Sequence, residues 1–285
     1  MTSIPPPSGP PTTPDGWSIP TGPPPAPEGW LPGQAVAYPD APQRAPRWGI
    51  GDVALGLLFV FAVVVISSVA GLILVGFDAL ESLADGDLSG TDAAIFLGLA
   101  TFGQSLAMGA WPFIVSRWKG NGVVKDFGLR FKPIDLAWGA SSAFIVLLLA
   151  GGLGYALTEA LDVGNDESTN TQIISDADGT ASLWIIVIAA VVLAPIVEEL
   201  FFRGLCLRAI ERRFGTTAGV IGSTVLFTIP HFTNPSVAGT IVLFSIIGMV
   251  GLVMAILVVK LDRLGPAIVA HAIFNAVGVI GVLAG

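Results

Sequence analysis

Five stretches of the chain are apolar almost without interruption, at residues 53–77, 93–116, 134–157, 183–202 and 237–259. A hydrocarbon core about 30 Å thick needs roughly 20 such residues in a helix, so each is expected to cross a bilayer. Two shorter runs, 218–230 and 266–283, bring the expected count to about seven. Run 218–230 ends at Pro230 and is followed by "HFTNPS", the pattern of a helix that stops inside the membrane and hands over to irregular backbone. Such backbone is tolerated at that depth only where protein buries it or water reaches it, which places a cavity near His231. The expected fold is all-α: a polytopic transmembrane helix bundle with a disordered N-terminal tail.

That tail is residues 1–50, which hold 15 of the 21 prolines and a crude repeat in "PTTPDGWSIP" and "PPAPEGWLPG". It cannot build a packed core, and polyproline II or disorder is expected. Trp17, Trp30 and Trp48 would mark docking sites for a partner of the tail, with the membrane interface as an alternative place for Trp48. The tail lacks the basic start and cleavage site of a signal peptide, so 53–77 is expected to stay as a spanning helix, and residues 51–285 form the membrane domain.

Composition supports this class. With 53% hydrophobic and 12% charged residues and a mean hydropathy of +0.79, the chain is too apolar for a soluble domain. No nucleic-acid partner is expected, and the single Cys206 excludes an internal disulfide.

Charge then sets the expected orientation. The 13 Lys and Arg fall in the leader, at 117–132, at 203–213, and at Lys260 and Arg263, while the connections 78–92 and 158–182 have none and are acidic. Seven crossings put every basic segment on one face. The positive-inside rule makes that face cytoplasmic, with the N-terminus inside, as in a multi-pass plasma-membrane protein.

Against this background the segment "APIVEELFFRGLCLRAIERRFG", residues 194–215, stands out. An ionisable group deep in a membrane helix costs at least ~2.5–3.5 kcal/mol on insertion scales and is a functional hypothesis by default. Counting back from Arg208 puts Glu198 about 15 Å into the membrane. Glu199 and Arg203 are spaced i, i+4 and suit an ion pair. Glu198 points about 100° away from Glu199 in a regular helix and must find its partner on another helix.

The chain has two histidines, and both lie in membrane segments. His231 follows Phe227 in "FTIPH", and His271 precedes Asn275 in "HAIFN", each pair at i, i+4 and so on one helix face. One carboxylate, two imidazoles and one amide could converge.

These motifs resemble those of the CPBP intramembrane endopeptidases, the abortive-infection family related to the type II CAAX prenyl protease. The family's E-E-x-x-x-R reads here Glu198 to Arg203, its F-x-x-x-H reads Phe227 to His231, and its H-x-x-x-N reads His271 to Asn275; Phe244 to Gly248 fits a weaker F/Y-x-x-x-G element. The resemblance covers roughly residues 50–285. It implies peptide-bond hydrolysis in a membrane cavity open to the cytoplasm, with Glu198 and His231 activating a water and His271 and Asn275 stabilising the oxyanion. Glu199, Arg203 and Phe227 would support them. A carboxylate can take a proton from water and return it to the leaving amine, and donors aimed at the oxyanion contribute several kcal/mol.

Metal dependence is open at this stage. Glu198, His231 and His271 are zinc ligands by type, but the helical HExxH spacing is absent and one carboxylate cannot readily be both ligand and free base, which favours carboxylate-activated water. The expected substrate is a peptide or protein, with lipidated and membrane-embedded ones both admitted, and membrane lipids are the other expected partners. Two other classes stay in view: a non-catalytic scaffold or immunity-type protein on the same fold, and a proton-coupled transporter using intramembrane Glu and His.

Overall fold

Helices account for all regular secondary structure in the computed structural model, which describes residues 45–76, 90–163, 184, 187–232 and 236–284. In chain order they are α1 (Ile50–Val75), α2 (Gly90–Lys119), the single turn α3 (Val123–Asp126) and α4 (Asp135–Leu161). A π-helical stretch (Ala189–Leu193) leads into α5 (Ala194–Glu198), a second π-helical stretch (Glu199–Leu207) and α6 (Arg208–Phe214). Then come α7 (Thr216–Thr228) with a 3₁₀ turn (Ile229–His231), α8 (Val237–Leu261) and α9 (Gly265–Ala284).

Among the described residues four helices, α1, α4, α8 and α9, are long and apolar enough to cross a membrane. These residues do not confirm the expected count of seven. Residues 187–214 are broken into short π and α pieces, and α7 has 13 residues before its 3₁₀ turn. The four long helices are apolar nearly all round, as a membrane requires. Leu58, Phe61 and Ile66 on α1 and Phe144 and Leu148 on α4 are exposed, an apolar surface too continuous for water. The chain is an integral membrane protein.

Inside, α1 packs along α2, α4 lies against α8 and α9, and α7 packs on α8 and α6. Small residues set the close crossings, as is usual where lipid offers no hydrophobic driving force. A Cβ on Gly139 of α4 would collide with Val269 of α9.

The basic segments meet at one end of the bundle. Arg130 and Arg208 both reach Asp262, the left-handed residue that ends α8, and Arg263 is paired with the buried Asp135. Lys119 reaches Asp52 at 2.6 Å, while Asp52 also accepts from the Gly49 N–H at the start of α1.

The tail's inner end is ordered, which differs from the expectation for residues 1–50. Trp48 is 3% exposed and packs its ring against Phe127. Arg212 donates to the carbonyls of Trp48 and Pro46 at 3.0 and 2.9 Å and lies over the Trp48 ring. Trp48 is thus a core residue of the bundle. Trp17, Trp30 and most of the acidic connections lie outside the described residues.

Candidate active site

Five elements deliver the candidate residues: α5, the π-helical stretch after it, the end of α7, α8 and α9. π-Helical turns are rare and recur at functional sites. Glu198 is the last residue of α5, and Glu199 and Arg203 lie in the following π stretch.

Arg203 Nη1 donates to Glu199 Oε1 at 2.9 Å, and both side chains are fully buried. Its Nη2 donates to the Gly251 carbonyl of α8 at 3.1 Å, and its guanidinium lies 4.2 Å from the centre of the Phe227 ring. Gly251 makes room for this approach, because an ideal Cβ there would sit 3.1 Å from Phe227 and 3.2 Å from Arg203 and crowd both. The residue therefore joins the site through its backbone, and no motif in the sequence singles it out.

His271 stands between the two glutamates. Its Nδ1 is 3.1 Å from Glu199 Oε1 and its Nε2 is 3.7 Å from Glu198 Oε2. A carboxylate oxygen accepts, so the short contact assigns the Nδ1 proton to the imidazole and directs Nε2 at Glu198. The sequence sends Glu198 to a partner on another helix, and the structure supplies His271. It also brings Glu199 to the same ring, so the two acids do not divide between separate partners.

His231 is half-buried, with Nδ1 2.8 Å from the Phe227 carbonyl. That carbonyl can only accept, which again places the proton on Nδ1 and leaves Nε2 free of it. Phe227 separates the two histidines, its ring centre 4.9 Å from His231 and 5.7 Å from His271. Asn275, one turn beyond His271, donates from Nδ2 to the Ala190 carbonyl at 2.8 Å. Its amide is thus tied to the first π stretch.

Among the described residues, no three His, Cys, Asp or Glu side chains are grouped so as to hold a metal ion. Of the imidazole nitrogens at the site, His271 Nδ1 is already engaged by Glu199. The site as built is one accessible carboxylate facing an imidazole that is itself anchored by a buried ion pair, an arrangement suited to moving a proton.

Residues 180–277 match the family model described as type II CAAX prenyl endopeptidase Rce1-like. The matched range holds Glu198, Glu199, Arg203, Phe227, His231, His271 and Asn275. Comparisons with curated proteins and with solved structures gave no match. Over residues 180–277, which hold the three motifs in order and the contact of the glutamates with His271, the chain is similar to the type II CAAX prenyl endopeptidases, a family of membrane proteases.

Proposed function

We propose that this protein is an intramembrane endopeptidase in which Glu198 takes a proton from water as the water oxygen adds to a peptide carbonyl. One observation carries the reading: of two adjacent glutamates, Glu199 is sealed in and held by Arg203 and His271, while Glu198 keeps 17% of its side chain accessible. A base must reach its proton, and Glu198 is the member of the pair that can.

When the C–N bond breaks, the proton held by Glu198 goes to the leaving amine. His271 supports the step from 3.7 Å away. Because its Nδ1–H is given to Glu199, its Nε2 accepts a proton in the neutral ring and donates one only as the imidazolium. Its Nε2 can therefore hydrogen-bond an oxyanion only after taking up a proton. The free Nε2 of His231 suits it to orient the attacking water.

Peptide-library hydrolysis by protein purified in detergent tests this reading. Glu198→Gln keeps the shape and removes the base, so turnover should fall by about 10²–10⁴-fold with an unchanged melting temperature. A chelator should leave the unsubstituted protein's turnover unaltered. Undiminished turnover in Glu198→Gln removes Glu198 from the mechanism, and chelator-sensitive, zinc-restored activity replaces it with a metal-dependent one.

The reading includes a cavity open to the cytoplasm of a plasma-membrane protein with its N-terminus inside. It is supported by the gathering of Lys119, Arg130, Arg208, Arg212 and Arg263 at one end of the bundle, the end that the positive-inside rule keeps in the cytoplasm. A peptide, with or without a lipid, would enter from that leaflet. Single cysteines at 200–212 and 264–275 in a Cys206→Ser background should react with an impermeant thiol reagent from the cytoplasmic side of sealed vesicles. Labelling restricted to the opposite side reverses the orientation.

A further inference from the structure

We infer that Asn275 is a positioning residue whose side-chain amide supplies the backbone donor that Pro195 lacks, and so fixes the segment carrying Glu198. The first π stretch shows why a donor is missing. Ala194 N–H donates to the Ala189 carbonyl, a bond from residue i to i−5. Continued in that register, the Ala190 carbonyl would accept from residue 195, which is a proline without an N–H. In the α register it would accept from Ala194, whose N–H is already committed to Ala189. Ala190 therefore has no helical donor in either register.

A carbonyl left unpaired at membrane depth finds no water to replace the bond. Asn275 Nδ2 fills the position at 2.8 Å. The sequence arranges this delivery economically, because His271 and Asn275 are one turn apart on the same face of α9. α9 thereby grips residues 190–199 at two points, through Asn275 at Ala190 and through His271 at Glu199. Glu198 lies between those two holds. Loosening the first would move the carboxylate relative to His271 Nε2, although Asn275 touches neither group. The effect on turnover rests on the proposed role of Glu198 as base, whereas the substitution of one donor for another does not.

A four-variant cycle of the full chain, Asn275→Ala, Pro195→Ala and the double variant against the unsubstituted protein, tests the inference. Amide exchange over 187–199 is read by mass spectrometry, alongside kcat and KM. With Pro195 present, Asn275→Ala should speed exchange there by about tenfold, the effect of leaving one part-buried acceptor unpaired. With Pro195→Ala, residue 195 regains its N–H, Ala190 gains a backbone donor in the π register, and the same change should alter exchange by less than about threefold. The loss of kcat should shrink in parallel, with KM little changed. Equal effects of Asn275→Ala in both backgrounds overturn the inference, and an equal kcat loss in both assigns the amide to the oxyanion. Should the chain prove not to hydrolyse peptides, the exchange readout decides alone. Should Pro195→Ala fail to fold, protein labelled with ¹⁵N-asparagine gives the answer: a slowly exchanging Asn275 side-chain proton supports the bond to Ala190, and free exchange of both protons overturns it.

Discussion

Arg203 and Arg208 each place a guanidinium nitrogen 2.9 Å from a carboxylate oxygen, yet the two pairs live under different physics. Arg203 and Glu199 are both fully buried, while Arg208 is 19% and Asp262 71% exposed. Distance alone does not set the worth of an ion pair. In water the attraction is weak and screened, and an exposed pair contributes ~0–1 kcal/mol. Out of water the desolvation of each charge is large, so the pair adds little net stability when intact but leaves an uncompensated charge when one partner is lost. The first pair also touches His271 through Glu199, and the second is one of several ion pairs at the basic end.

The largest effect expected from breaking this contrast comes at Arg203. Arg203→Met keeps much of the volume and strands Glu199 in the core, which should destabilise the protein by ~3–5 kcal/mol in chemical denaturation in detergent. Replacing both members sharpens the comparison. In Glu199→Gln/Arg203→Met no ion is left unpaired, and the Gln oxygen can still accept the His271 Nδ1–H, so most of the loss should be recovered. A stable, inactive Arg203→Met single variant would instead assign Arg203 to contact with substrate.

Much of the site is legible in the sequence because ionisable residues in an apolar run are costly and stand out. Glu198, Glu199, Arg203, His231 and His271 are found that way, Asn275 by its i, i+4 spacing from His271, and the i, i+4 spacing of Glu199 and Arg203 correctly indicates their pairing. Helix register is less legible. Counting 100° per residue separates Glu198 from Glu199, but π turns at Ala189–Leu193 and Glu199–Leu207 interrupt the α register on either side of Glu198, and both acids reach one imidazole. Pro195 is the visible signal of that disruption. Arg212 shows the other limit. The structure gives its donors to Pro46 and Trp48, contacts 166 and 164 residues away in sequence that no local pattern encodes.

The smallest effect should come from the exposed side of the comparison, and the choice of substitution decides whether it is seen cleanly. Asp262 ends α8 with φ 48° and ψ 37° in the left-handed region, which alanine adopts only with strain and asparagine tolerates well. Asp262→Ala would thus mix backbone strain with lost charge. Asp262→Asn removes the charge alone, and it retains a side-chain oxygen that Arg208 and Arg130 can still approach. Screening already weakens the two pairs at physiological salt, so the variant should lose no more than ~1 kcal/mol, with the difference shrinking further between low and high salt. Denaturation at both ionic strengths measures it. A loss as large as that of Arg203→Met, unaffected by salt, would mean that the basic end is as tightly sealed as the core and would abolish the distinction between the two pairs.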